Sequence, residues 1–163
     1  MADMDLTPAT LTVWAGEDAS RAHGATQVPV VYSAAYGYPN VESWLDVALG
    51  RRPGHIYSRN TNPTVHAFEE KVRILEGAEA ATSFSTGMAA VSNTLFALLA
   101  PGDRVVSAKD TYGGTNQLVV DFLPRIGVQV DLCDTSDFAQ IEAAIAQGCR
   151  LVYLETPTTR RSR

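Results

Sequence analysis

RVVSAKDTYGGTNQLVVDFLPRIGVQVDLC, residues 104–133, starts and ends on short runs rich in valine and holds a longer helical pattern between them. RVVSA reads as a buried strand, because adjacent valines with no polar alternation suit a strand covered on both faces. Gly113-Gly114 then opens GGTNQLVVDFLPRIG, long enough for a helix, and VQVDLC returns to a strand. Strand, helix and strand within about 30 residues form a βαβ unit, whose crossover makes the two strands parallel.

The same alternation continues on both sides. Downstream, SDFAQIEAAIAQG is expected to be a helix with Ser136 as its cap and Gly148 past its end, and RLVYLE is the last strand. Upstream, GMAAVSNTLFALL is a mostly apolar helix closed by the turn Pro101-Gly102-Asp103, and EAATSF before it is expected to be a short strand. Further upstream Asn62 can cap a helix that has Pro63 at its first position and Gly77 at its end. On that helix Val65, Phe68, Val72 and Leu75 recur at helical spacing. Residues 1 to about 60 lack clean periodicity and read as an extended arm with one helix around VESWLDVALG. Strands alternating with helices of this length indicate an α/β domain with a largely parallel sheet.

The chain has 163 residues, 45% of them hydrophobic and 19% charged, which fits one soluble globular domain. A net charge of −5 excludes a general attraction to nucleic acid or anionic membrane. The basic clusters RRPGH and RRSR are too short to define a binding face. No apolar run approaches the roughly 18 residues of a membrane span. The start, MADMDLTPATLT, carries acidic residues where a signal peptide is basic, so a cytoplasmic location is expected. Cys133 and Cys149 read as two reduced, buried thiols. No repeat or low-complexity tract occurs.

Ligands of open α/β sheets bind beyond the carboxyl ends of the strands. EAATSF runs into Ser85-Thr86-Gly87-Met88, where small residues at a helix start expose backbone N–H groups to an anion. A plain turn glycine explains Gly87 equally. RVVSA runs into Lys109-Asp110-Thr111-Tyr112-Gly113-Gly114-Thr115, an aromatic ring followed by two glycines that permit close approach. RLVYLE ends on Glu155 at the sheet rim. Tyr57 and Arg59, in HIYSRNTNPT, precede the first strong helix, and an arginine fork suits phosphate oxygens. Each signal taken alone has a structural explanation.

Taken in order, YSRNTNPT, FSTGMAAV, DTYGGT and LVYLETP resemble the Cys/Met-metabolism family of pyridoxal-phosphate enzymes. That family includes cystathionine γ-synthase, cystathionine γ- and β-lyases, methionine γ-lyase and the O-acylhomoserine sulfhydrylases. The resemblance runs from roughly Thr10 to Pro157. It implies the N-terminal portion of an aspartate-aminotransferase-like (fold type I) large domain, preceded by an arm. It divides the chain into an arm that makes subunit contacts (1–61), the first part of the cofactor domain (62–158) and a tail (159–163). Pyridoxal 5′-phosphate is the implied cofactor. Gly87 and Met88 would give it phosphate-binding N–H groups, Tyr112 would stack on its ring, and Glu155 would face its pocket. Tyr57 and Arg59 would reach the phosphate of a neighbouring subunit, implying a homo-oligomer, a dimer of dimers in the intact enzyme. The implied substrate is a small homoserine- or cysteine-type amino acid undergoing β- or γ-elimination or γ-replacement in methionine or cysteine metabolism. A sulfhydrylase or synthase is preferred over a lyase. Trp14 departs from the histidine that many relatives carry, and no mechanism attaches to it.

The family also needs a Schiff-base lysine and an aspartate on the pyridinium nitrogen, both beyond the last strand here. Lys71 and Lys109 are the only lysines; Lys71 reads as a solvated face residue, and Lys109 does not fit the family's lysine motif. The chain is therefore expected to hold less than half of the enzyme, to be inactive alone and to expose an unpaired sheet edge and apolar helix faces. Relatives continue LETP as LETPTNPTLKV. Codons ACC AAC CCG ACG CTC AAG G, on losing one A, become ACC ACC CGA CGC TCA AGG. These encode Thr158 to Arg163, so residues 159–163 are expected to be frame-shifted. Two other readings stay open: a catalytically dead remnant that pairs with a full-length homologue, and a nucleotide- or phosphate-binding module. Against the latter, no GxGxxG or GxxxxGK[ST] pattern occurs.

Overall fold

The computed structural model describes residues 7–17 and 24–156. The acidic start (1–6) and the tail from Thr158 to Arg163 lie outside the described residues. Contacts divide the chain into two compact units, Met1–Ser83 and Phe84–Arg163. The sequence motifs had placed a division after Thr61.

The second unit contains the sheet. β1 (Arg104–Ala108) lies between β2 (Gln129–Cys133) and β3 (Leu151–Tyr153), and both pairings are parallel. Val105 aligns with Val130 on one side and Leu151 on the other, so the three strands end at one edge. Alternation along β1 supplies two cores. Val105, fully buried, packs with Leu95, Leu99, Val119, Leu123 and Val128. Its neighbour Val106 points to the other face, against Cys133 and Ala144. The first cluster joins α4 (Gly87–Leu98) to the α5 region, and the second is closed by α7 (Phe138–Ala146). Helices on both faces explain the unalternated valines of RVVSA.

The helical crossover between β1 and β2 has three parts: α5 (Gly113–Gln117), a π-helical turn (Leu118–Phe122) and α6 (Leu123–Arg125). Pro124 has no N–H to give the Val120 carbonyl, so a regular α-helix would lose a bond there. The wider turn instead takes the Leu123 N–H to the Leu118 carbonyl. Gly127, at φ 84°, then reverses the chain, and its carbonyl accepts from the Gly102 N–H at 2.8 Å.

The first unit contains α1 (Pro8–Trp14), α2 (Val41–Ala48) and α3 (Pro63–Glu76). Asn62 Oδ1 accepts from the Thr64 N–H at 2.8 Å and the Val65 N–H at 3.4 Å, and Gly77 closes α3 at φ 62°. Both ends of α3 are where its sequence placed them.

Several expectations are corrected. EAATSF is not a strand: its Ser83 N–H and Oγ both donate to the Glu69 carboxylate, so the backbone does not join the ladder. Asp137, not Ser136, caps α7, because Ser136 turns back onto Asp134 through its N–H and hydroxyl. The arm is not helix-free before VESWLDVALG, since Thr7 caps α1 with Pro8 at its first position. The apolar stripe of α3 is not its packed face. Val65, Phe68 and Leu75 are exposed, whereas Ala67 on the opposite side is buried. There Gly16, two residues past the end of α1 and at φ 73°, comes so close to α3 that a Cβ would lie 2.7 Å from the Lys71 backbone nitrogen. Lys71 is no solvated residue either. Its ammonium donates to the Val13 carbonyl at 3.1 Å and to Glu17 at 2.5 Å. Of the two free thiols, Cys133 is buried and Cys149 half-buried. Bare apolar surface is present as expected, including Phe96, Leu98, Phe122 and Leu154.

Asn62 also donates to the Val31 carbonyl, Tyr36 Oη and Ser58 Oγ, so one buried amide ties the arm to α3. Asn62→Ala loses a cap worth about 1 kcal/mol and strands a carbonyl at about 1–3 kcal/mol. Chemical denaturation followed by helical circular dichroism should show the full loss for Asn62→Ala. Asn62→Asp, which keeps the cap and loses the donors, should fall between it and the parent.

Candidate functional site

The chain leaves β1 at Ala108 and enters α5 after Tyr112; it leaves β3 at Tyr153 and reaches Glu155 two residues later. Both exits lie at the carboxyl edge of the sheet, beside the start of α4. They enclose a cleft of about 560 Å³ lined by Thr86, Gly87, Met88, Tyr112, Thr115 and Glu155. Four candidates from the sequence, Gly87, Met88, Tyr112 and Glu155, therefore share one cavity.

The start of α4 forms the anion-seeking wall. Thr86 Oγ1 accepts from the Ala89 N–H at 3.0 Å, which leaves the Gly87 and Met88 N–H groups without a protein partner among the described residues. A Cβ built on Gly87 would meet no atom within 4 Å, so protein packing does not demand this glycine. Close approach of a ligand would. The Tyr112 ring, 53% exposed, supplies an aromatic wall. Bare amides on a twelve-residue helix beside an open ring suit a planar, phosphorylated molecule such as pyridoxal phosphate.

Glu155 lines the cleft and also holds it together. Its Oε2 accepts from the Tyr112 N–H at 2.6 Å and its Oε1 from the Tyr153 hydroxyl at 2.7 Å. Tyr112 makes no side-chain cap of its own at the start of α5, and this carboxylate, two residues past β3, anchors its backbone N–H instead. Burial alone would raise the Glu155 pKa, but the Tyr112 N–H, the Tyr153 hydroxyl and Thr115 together bring it below the usual carboxylate value. Tyr153 is pushed up to about 12, first by burial and then by its bond to Glu155. Both carboxylate oxygens are thus engaged in holding the cleft together.

Tyr57 and Arg59 lie in the first unit. Ser58 donates its N–H to the Ala34 carbonyl, and Tyr36 donates to Ile56, which pins the loop. The Arg59 guanidinium lies 5.0 Å from the Tyr57 ring centroid, and both residues are exposed. Neither lysine lines the cleft. Lys109 pairs with Asp134 at 2.5 Å, a contact that raises the lysine pKa and holds Asp134 well below its usual range.

Thr86, Thr115 and Tyr153 were not singled out from the sequence. Thr86 precedes Gly87 at the capping position, and Tyr153 shares a strand face with Glu155 two residues on. Both signals were readable. Burial of Thr115, 1% exposed, follows from tertiary packing that no local pattern reveals.

A depressed native pKa means that Glu155 contributes stability above the unfolded carboxylate pKa. That contribution is lost as pH falls through the lower native value. A carbon-13 carboxyl titration should show Glu155 titrating below the ordinary 4.5, as Glu70 does beside Arg73, and only the Glu155 step should be accompanied by loss of the protected Tyr112 amide signal. In Glu155→Gln the Glu155 step should vanish while that of Glu70 stays, and the Tyr112 amide should exchange faster at every pH.

A family model for Cys/Met metabolism PLP-dependent enzymes matches residues 9–162. The chain is 36% identical over 148 residues to an L-methionine gamma-lyase of Pseudomonas deceptionensis, covering 91% of this chain and 37% of that protein. The crystal structure of cystathionine gamma synthase from Xanthomonas oryzae pv. oryzae, in complex with aminoacrylate and cysteine, superimposes with a TM-score of 0.82 at 31% identity. That match covers 96% of this chain and 38% of the other. A putative O-acetylhomoserine (thiol)-lyase from Campylobacter jejuni, containing N′-pyridoxyl-lysine-5′-monophosphate, superimposes with a TM-score of 0.86 at 25% identity. It is covered over 95% and 38% of the two chains. The chain thus spans well under half the length of these relatives and has their fold type I architecture over that part. It belongs to the Cys/Met-metabolism family of enzymes, whose cofactor is pyridoxal phosphate.

Proposed function

We propose that the chain forms the amino-terminal part of a transsulfuration enzyme and that its cleft receives the phosphate and ring of pyridoxal phosphate. The observation that carries this is the pair of amides at Gly87 and Met88, which have no partner among the described residues and belong to residues lining the same cavity as Tyr112. The two N–H groups hold the phosphate, with the helix dipole adding attraction. The Tyr112 ring would stack on the pyridine, with its backbone fixed by Glu155. Bound in this way, the cofactor supplies an electron sink for breaking bonds at the α-carbon of an amino acid.

For the whole protein, the substrate is a small homoserine- or cysteine-type amino acid, and the reaction is β- or γ-elimination or γ-replacement. Relatives named as lyase, synthase and thiol-lyase support this range without choosing within it. Tyr57 and Arg59, exposed on a pinned loop, are suited to a phosphate on a second copy, which makes the working form a homo-oligomer. The chain by itself provides no free lysine amine, since Lys71 and Lys109 are each held as ammonium donors by carboxylates. This favours a second reading in which the 163-residue chain alone catalyses nothing and functions only beside a full-length homologue.

Pyridoxamine 5′-phosphate carries the phosphate and ring but no aldehyde, so lysines cannot capture it. Calorimetric titration should show it binding, and Gly87→Asp should weaken the affinity by about tenfold or more through charge repulsion. An aspartate in the first helical turn favours the helix itself, so folding is retained. Equal affinity of the variant and the parent would remove the α4 amides from the site.

A further inference from the structure

Gly113 and Gly114 adjoin in sequence but differ in surroundings. A Cβ built on Gly113 meets nothing within 4 Å. One built on Gly114 would lie 2.9 Å from Tyr112 Cε1, 3.0 Å from Met88 Sδ and 3.4 Å from Tyr112 Cδ1. The ring of Tyr112 and the thioether of Met88 therefore close over the same bare backbone position. Neither glycine has a positive φ, so backbone conformation does not call for them. The glycine at 114 is a matter of space, and the space is occupied by two cleft-lining side chains.

We infer that Gly114 is a positioning residue: its missing side chain sets the pose of the Tyr112 ring and of Met88, and thereby the shape of the cleft. The inference rests on the reading of Tyr112 as the ring wall. Three further constraints direct the effect of any added atom. The Tyr112 backbone is tied to Glu155 at 2.6 Å, so the strain is not relieved by shifting the main chain. Thr115 Oγ1, 1% exposed, lies 3.7 Å from Met88 Sδ and restrains the sulfur from below. Met88 and Gly114 also line a second cavity, of about 320 Å³, with Gln117 and Asp121 of the same helical crossover. Met88 is thus the partition between two spaces. What remains free to move is the exposed ring, which would swing further into the cofactor cleft.

Both crowded neighbours are side-chain ends rather than backbone, so an alanine at 114 is accommodated without unfolding. It also gains helix propensity over glycine. Gly114→Ala therefore separates ring position from stability, and Gly113→Ala is its matched control. Met88 is one of three methionines, the others being Met1 and Met4, so its methyl carbon is readily assigned by NMR. In the ligand-free chain, Gly114→Ala should move the Met88 methyl resonance by an amount comparable to Tyr112→Leu, through loss of the ring current. Gly113→Ala should leave it in place. With pyridoxamine 5′-phosphate as probe, Gly114→Ala should weaken binding roughly two- to tenfold, the value of one aromatic contact. Gly113→Ala should bind as the parent does. An unmoved Met88 methyl in Gly114→Ala overturns the positioning role, and so does a moved methyl with unchanged affinity where Tyr112→Leu weakens binding. If Tyr112→Leu binds the probe as tightly as the parent does, the ring wall itself is wrong. The methyl shift would then still report whether Gly114 sets the ring pose.

Discussion

Everything in the second unit hangs on β1. Its valines are buried on opposite faces, and its two parallel ladders bring β2 and β3 to a common carboxyl edge. A parallel sheet covered by helices on both faces leaves the carboxyl ends of its strands as the open place for a ligand. Tyr112 and Glu155 are placed by this constraint: one lies four residues past β1, the other two past β3. Their hydrogen bond closes the gap between adjacent strand exits.

The cleft combines two kinds of wall. On one side, α4 offers the Gly87 and Met88 amide hydrogens, which have no protein partner among the described residues. On the other, an exposed tyrosine is held by its main chain and left free at its ring. The carboxylate that looked from sequence like a ligand for the cofactor is engaged by a backbone N–H and a phenol. Those two bonds tie the Tyr112 backbone and Tyr153 to a residue that itself lines the cleft.

Much of this was legible before any coordinates. Asn62-Pro63 and Gly77 mark the ends of α3 because capping is local chemistry, and RVVSA, VQVDLC and RLVYLE marked the three strands. Tyr112 and Glu155 were legible as neighbours because each follows a strand end, whereas Gly87 and Met88 line the same cleft although EAATSF before them is not a strand. The packed face of α3 was not legible. Its apolar stripe points outward, and the buried side is chosen by the close approach of Gly16, a tertiary fact. EAATSF has strand composition but spends Ser83 on Glu69, fourteen residues away, which no propensity reports. Lys71 looked solvated because its partners, Val13 and Glu17, lie over fifty residues upstream. Ser136 and Asp137 both have capping chemistry, and only Asp134, which claims Ser136, decides between them.

The central claim is that the two bare amides of α4 are the phosphate site. The most direct measurement is a nitrogen-15 amide NMR titration of the chain with pyridoxamine 5′-phosphate. The account requires the Gly87 and Met88 amide signals to move together and saturably, with downfield proton shifts from new hydrogen bonds. A titration in which those two signals stay fixed while the shifts fall on surface arginines would contradict it.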